Sequence, residues 1–223
     1  MGEYQIDTLG SPKLVILPSA YGLTEKAWQA MEQKVRDGAV LLISGPFDLD
    51  AHLHPTERAA EAGLDYKTTP LQLREQSFDW AGEPQHLAYG GLKTTMLSRA
   101  ELPGNKDWAE VRLGKGRILF SALPLELNDR PEATAAVYAY AIKAAGIEPA
   151  YTTKIHDAGM LICPTQLEDA TLYVLASETN RREVSFHDAR SGKDFNGVLE
   201  PGRAAILLVG KDGKLITTYN WPR

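Results

Sequence analysis

An open α/β sheet followed by a small antiparallel β domain is the fold class this sequence predicts, and three observations carry it. Residues 13–46 read strand, crossover helix, strand. A further buried strand and a long amphipathic helix run from Lys115 to Ala145. From Tyr151 the apolar period shortens to two, and no helix of any length is signalled. The expected domains are residues 1–150 and 151–223.

The first helix, 24–37, has a start, a stripe and a stop. Thr24 is a good N-cap, Glu25 suits the positive end of the helix dipole, and Gly38 can take the left-handed stop position. Leu23 and Trp28 stand at the two positions of a hydrophobic staple, and Ala27, Trp28, Met31 and Val35 form one apolar stripe. The flanking runs, Lys13–Pro18 and Ala39–Ser44, are almost wholly apolar, as strands covered on both faces are. Their parallel pairing through the helix implies a right-handed crossover.

A short helix is expected at 56–62, capped by Thr56 after Pro55 and ended by Gly63. Leu64–Thr68, Thr94–Leu97 and Trp108–Leu113 read as short strands, while Ser77–Gly91 shows no clear period and reads as loop. Gly114-Lys-Gly-Arg117 lacks the spacing of a phosphate loop. It reads as a tight hairpin entry to a third buried strand ending at Pro124. The helix from Glu132 to Ala145 carries Ala136, Val137, Tyr140, Ala141 and Ala144 on one stripe, with Gly146 as its stop; Tyr138 falls on another face. In the β domain the expected strands are Met160–Cys163, Thr171–Ser177, Glu183–Asp188, Arg203–Val209 and Lys214–Tyr219. Ser191-Gly192 and Asp212-Gly213 signal hairpin turns, and together these elements predict a sandwich.

Open α/β sheets commonly have about five or six strands, and only three strong parallel ones are legible here. Either residues 3–8 supply a poor edge strand, or a preceding strand and helix belong to a longer parent polypeptide; the second is the expectation. The net charge of −5 argues against non-specific nucleic-acid binding, which needs clustered Lys and Arg. The acidic excess lies in residues 1–150, consistent with a boundary near 150. No stretch approaches the ~18 apolar residues of a membrane span. Met-Gly-Glu-Tyr-Gln-Ile-Asp has neither a basic n-region nor an apolar h-region, so no export signal is expected in it. A single cysteine, Cys163, excludes an internal disulfide and reads as a buried, inert thiol among Leu161, Ile162 and Pro164.

Chemistry in open parallel sheets sits in the loops that follow the strands. Those loops bring Ser19 and Tyr21, Ser44 and Asp48, and Pro124 with Glu126 to one sheet edge. A carboxylate there can serve as a general acid or base, but the plainer reading is that these groups cap helices and line an interface. No Ser–His–Asp order with an elbow such as Gly-x-Ser-x-Gly is found. Asp48-Leu-Asp50-Ala-His52-Leu-His54 alternates polar and apolar residues; on an extended backbone its carboxylates and imidazoles would share a face and suit zinc or manganese. Nothing in the sequence forces that segment to be extended, so it reads as a solvated connection and no metal or cofactor is expected. Trp80, Trp108 and Trp221 could stack on sugar rings, although isolated tryptophans usually fill cores or interfaces.

The run Lys13-Leu-Val-Ile-Leu-Pro-Ser-Ala-Tyr-Gly-Leu-Thr-Glu-Lys-Ala-Trp, with Val35-Arg-Asp-Gly-Ala-Val-Leu-Leu-Ile-Ser-Gly after it, resembles the β-galactosidase trimerisation domain of family 42 and related glycoside hydrolases. Ala62-Gly-Leu-Asp-Tyr resembles its next corner, and Gly114-Lys-Gly-Arg-Ile-Leu-Phe its late strand. Asp188-Ala-Arg-Ser-Gly-Lys and Leu199-Glu-Pro-Gly-Arg-Ala-Ala-Ile-Leu-Leu are similar to the C-terminal sandwich of such enzymes. The resemblance implies a flavodoxin-like, class I glutamine-amidotransferase-like fold without the amidotransferase cysteine, its first strand and helix missing or reduced to Tyr4–Asp7. It also implies a non-catalytic role in assembly and in shaping an active-site rim. The partners would be the catalytic barrel of a parent glycosidase, which carries the catalytic glutamates, and further copies in a homo-oligomer. Ser19, Tyr21, Ser44, Asp48, His52, His54 and Glu126 are then candidate rim contacts, and none is expected to be catalytic. A carbohydrate-binding or other interaction module is one alternative. A free-standing hydrolase using the sheet-edge carboxylates, or a metal at 48–54, is the other.

Overall fold

Residues 3–72, 74–90, 96–154 and 159–221 are described in the computed structural model of the protein, and the chain divides into two units, Met1–Ile147 and Glu148–Arg223. Strands dominate and helices are few.

The first unit contains β1 (Leu14–Leu17), α1 (Glu25–Asp37), β2 (Val40–Ser44), α2 (Arg58–Glu61), β3 (Lys67–Pro70), β4 (Glu75–Trp80), β5 (Glu83–Ala88), β6 (Ser98–Glu101), β7 (Trp108–Leu113), β8 (Gly116–Ser121) and α3 (Pro131–Ala144). Its main sheet runs β1-β2-β8-β7. The first three strands are parallel, and β7 closes one edge antiparallel through its hairpin with β8. Why β2 is apolar throughout follows from its two covers. Leu41 and Ile43 pack with Ala27, Trp28, Met31 and Val35 of α1, whereas Val40 and Leu42 pack with Ala133, Val137 and Ala141 of α3. The predicted stripe of α1 is its buried face, Thr24 accepts a hydrogen bond from the N–H of Ala27, and Gly38 ends the helix at φ 127°.

Several expectations need correction. Glu3–Thr8 is a 3₁₀ helix rather than an edge strand. The short helix is confined to Arg58–Glu61 and Thr56 does not cap it; its hydroxyl donates instead to the carbonyl of Asp48. The strand expected at Leu64–Thr68 is displaced to β3. Of Thr94–Leu97, the first two residues lie outside the described ones, and the strand in this region is β6. Ser77–Gly91 is no plain loop, since β4 and β5 form a hairpin turning at Ala81 and Gly82, both at positive φ. Phe78, Trp80, Leu87 and Tyr89 are its buried side chains, and Gly91 falls outside the described residues.

The second unit holds β9 (Tyr151–Thr153), β10 (Met160–Gln166), β11 (Ala170–Ser177), β12 (Arg182–Asp188), β13 (Lys193–Leu199), β14 (Ala204–Gly210) and β15 (Leu215–Tyr219). They form two antiparallel sheets, β10-β11-β14-β15 and β13-β12-β9. Tyr173, Leu175, Phe186, Phe195, Leu207 and Trp221 lie in their shared core. The strand β13 was not anticipated, because Asp194, Asn196 and Gly197 interrupt its apolar run. Gly197 is required there: a Cβ would fall 2.6 Å from the Trp221 ring. Asp188 is 1% exposed. Burial alone would raise its carboxyl, but bonds from the hydroxyls of Ser191 and Tyr173 and from the N–H groups of Ser191 and Arg190 hold it below the usual aspartate range.

Candidate functional site at the strand ends

β1 and β2 end side by side, with Leu17 opposite Ile43 and Ser44 opposite Ser121 of β8. This places Ser19, Ser44 and the 3₁₀ turn Leu125–Leu127 at one edge of the sheet. Ser19 sits at φ 42°, a left-handed conformation that costs a non-glycine residue about 1 kcal/mol. The turn aims its N–H at the Ser44 hydroxyl oxygen, 2.9 Å away. Its own hydroxyl donates to Glu126 Oε2 at 2.6 Å. The Ser44 hydroxyl donates to the same oxygen, and Tyr138 of α3 donates to Oε1 at 2.8 Å. One carboxyl group thus accepts three hydroxyls from three separate elements.

The surroundings follow from that knot. Burial, then the bond to Glu126 and its charge, push the Tyr138 phenol well above its ordinary range. Burial and the charge of Glu126 do the same to Tyr89, whose hydroxyl donates to the Pro124 carbonyl. Ser19, Tyr21, Ser44, Gly45, Pro124 and Leu127 are among the residues lining a cavity of about 30 Å³ here, space for about one water molecule. The cluster offers a hydroxyl hydrogen-bonded to a carboxylate that other donors already share. Among the described residues it holds neither an imidazole to relay a proton nor a second carboxylate to pair with Glu126.

Of the predicted contacts, Ser19, Ser44 and Glu126 are brought together, and Tyr21 lines the same cavity while remaining 55% exposed. The Asp48–His54 segment goes elsewhere. It is a turn rather than an extended run: Leu53 has φ 63°, and Asp50 Oδ1 accepts the N–H groups of His52 and His54, each at 2.8 Å. The bond to the His54 N–H leads in holding the Asp50 carboxyl below its ordinary value. Asp48 bonds to the Thr68 hydroxyl. The common metal-binding face is therefore not formed, and among the described residues no group of three or more His, Cys, Asp or Glu side chains could hold an ion.

Tyr138 was recognised in the sequence as off the α3 stripe, but not as a Glu126 donor. A phenol standing beside an alanine-rich buried stripe was the available signal. The tryptophans do not offer a sugar platform of three rings. Trp80 is 2% exposed and packs with Trp108 and Tyr140, and Trp221 is buried at Gly197. Trp108 is half-buried and lines one wall of an open groove of about 490 Å³ with Asp79, Lys106, Asp107 and Glu110. Cys163, expected to be buried, is exposed.

No protein-family model matches the sequence, and no curated protein does. Solved structures do match in fold. Gan42B, a GH42 β-galactosidase from G. stearothermophilus, aligns at TM-score 0.63 and 13% identity over 89% of this chain and 32% of its own. The β-galactosidase from Rahnella sp. R3 aligns at 0.63 and 14% identity, again over 89% and 32%. That from Bacillus circulans sp. alkalophilus aligns at 0.58 and 15% over 88% and 33%. The chain spans about a third of the length of these structures. At such identities the likeness is one of fold: this is a fold found as a region of GH42 β-galactosidases.

Proposed function

We propose that the chain serves as a non-catalytic accessory and oligomerisation region of a β-galactosidase-like glycoside hydrolase. In this reading the first unit is a flavodoxin-like, amidotransferase-type sheet corresponding to a trimerisation domain, and the second is a closing sandwich. Its partners are the catalytic barrel of the parent enzyme and further copies of the assembly. The observation that carries the proposal is the closure of Glu126. At the sheet edge where a reaction would be sought, the carboxylate is committed to Ser19, Ser44 and Tyr138, and the cavity beside it has space for about one water. Those residues hold the rim in shape. Tyr21, His52 and His54, which are exposed, are left to touch a neighbour, with Asp48 and Asp50 fixing the turn that presents the imidazoles. The fold likeness to about a third of each β-galactosidase supports the same reading.

The test is an assay of purified residues 1–223 on nitrophenyl β-galactoside, together with the gene's reading frame beyond these codons. No turnover by this chain, and a barrel-coding stretch in the same frame, are the expected results. Turnover that disappears in Glu126→Gln while circular dichroism stays unchanged would overturn the proposal.

A further inference from the structure

The groove beside Trp108 shares no residue with the cavity at the strand ends. It is built where the 3₁₀ turn Pro103–Asn105 feeds β7 and where β4 reaches Asp79. Asp79, Asn105, Lys106, Asp107, Trp108 and Glu110 line about 490 Å³, a volume ordinary for small-molecule sites. A second cavity of about 280 Å³ adjoins it at Asn105 and Asp107 and adds Gln76, Arg99 and Glu101. Trp108 and Glu110 fall two residues apart on β7, so one face of the strand carries both the ring and the carboxylate.

The ring is held in place. Trp80 meets it at 5.2 Å between centroids, and Tyr140 meets it edge-on at 6.1 Å. Trp80 is itself buried in the core of the first unit, so Trp108 stands on a rigid base and loses little freedom when a ligand covers it. The polar groups around the ring are only partly committed. Asp79 Oδ1 accepts the N–H of Gly82, and Glu110 Oε1 accepts from the guanidinium of Arg117. The second oxygen of each carboxylate has no partner among the described residues, and neither do the side chains of Asn105 and Lys106. Arg99 reaches Asp107 only at 3.9 Å. Its Nε is shielded from solvent with no acceptor, an arrangement that native structures rarely leave unexplained.

We infer that this groove binds a neutral oligosaccharide, with one pyranose ring lying on Trp108. The C–H groups of a sugar face carry partial positive charge and complement the negative face of an indole. Each sugar hydroxyl both donates and accepts, and the groove offers both kinds of partner: acceptors at Asp79 and Glu110, donors at Asn105, Lys106 and Arg99. A polyanion would meet Asp79, Asp107, Glu110 and Glu101, and a polyamine would meet Lys106 and Arg99. Because the two cavities adjoin, sugars linked to the stacked ring have polar walls to continue along. The inference rests on the groove's own groups and stands whether or not the chain belongs to a glycosidase.

Isothermal titration calorimetry of residues 1–223 with neutral galacto-, gluco-, manno- and xylotetraose tests it, with spermidine and trigalacturonate as charged controls. Saturable binding of at least one tetraose, at a dissociation constant of about a millimolar or tighter, is expected, with no heat from either control. Trp108→Ala should weaken that binding at least about tenfold. Lys106→Ala with Glu110→Ala should weaken it to a similar extent. Both of these side chains are exposed, and an unaltered circular dichroism spectrum checks that the unit stays folded, so the test survives a Trp108 variant that fails to fold. Tyr219→Ala, at a position 62% exposed on the second unit, should leave the affinity unchanged. Silence of all four tetraoses, a charged control binding as tightly as any of them, or neutral binding indifferent to the double variant would overturn the inference.

Discussion

Glu126 shows how a residue that looks like a reactive group becomes a structural one. An ionised carboxylate only accepts hydrogen bonds, and here both oxygens are engaged by hydroxyls whose other options are poor: Ser44 is 1% exposed, and Ser19 is fixed by its backbone turn. Glu126→Gln puts an NH₂ group where an acceptor is needed and leaves at least one hydroxyl without its partner. A loss of about 1–3 kcal/mol is expected, read as a lower urea midpoint. The strain at Ser19 is separable from its bond. Ser19→Ala and Ser19→Gly both delete the hydroxyl, but alanine keeps the positive φ, so the glycine variant should be the more stable by about 1 kcal/mol. Equal midpoints would mean that the turn relaxes when the hydroxyl is removed. The sequence put Ser19, Ser44 and Glu126 at one sheet edge because parallel strands must deliver their ends there. It could not show that Tyr138 would reach the same carboxylate, since that depends on how α3 packs across the sheet.

Local patterns predicted elements well where one element decided the outcome, and less well where two had to meet. α1 was legible in full because its cap, stripe and stop all lie within a few residues. The β4–β5 hairpin was not. Pro84 and polar residues break its alternation, and its Ala-Gly turn is a poorer signal than Asn-Gly or Asp-Gly. Likewise Asp50 gathers the N–H groups of His52 and His54 into a turn, a local competition with extended structure that alternating polarity does not reveal. Gly114-Lys-Gly116 belongs to the meeting of elements. A Cβ on Gly116 would lie 2.1 Å from the carbonyl oxygen of Ala39 and 2.3 Å from that of Val35, and one on Gly114 would lie 2.6 Å from Arg36 Cα. The glycines therefore let the β7–β8 hairpin press against the end of α1. Gly116→Ala should cost about 1–3 kcal/mol or more through overpacking, measured by urea unfolding. Lys115→Ala, at the exposed residue between them, should stay within about 0.5 kcal/mol of wild type. A tolerated Gly116→Ala would show that the hairpin can back away from the helix at little cost.

At the scale of the molecule the core clusters of the first unit and that of the second share no residue, so a single cooperative transition is not required. Two transitions are expected in calorimetry, and pH should tell them apart. Asp188 belongs to the second unit, and its hydrogen-bonded carboxyl is held below the ordinary aspartate value despite burial. As pH falls below about 4, the unfolded chain binds a proton at this position before the folded chain does. The stability that the charged Asp188 contributes is therefore fully present above that pH and is lost as pH falls through its lowered value. Asp50 in the first unit is also lowered, but it is only partly sheltered on a surface turn, where solvent weakens such effects. Acid should accordingly lower the second unit's transition more than the first unit's. Asp188→Asn should lower that transition at neutral pH, because the amide cannot satisfy Tyr173 and both Ser191 donors together, and should flatten its acid dependence. An acid response that is equal in both transitions, or that survives Asp188→Asn, would assign the proton uptake to other carboxylates and remove Asp188 from the account of the sandwich's stability.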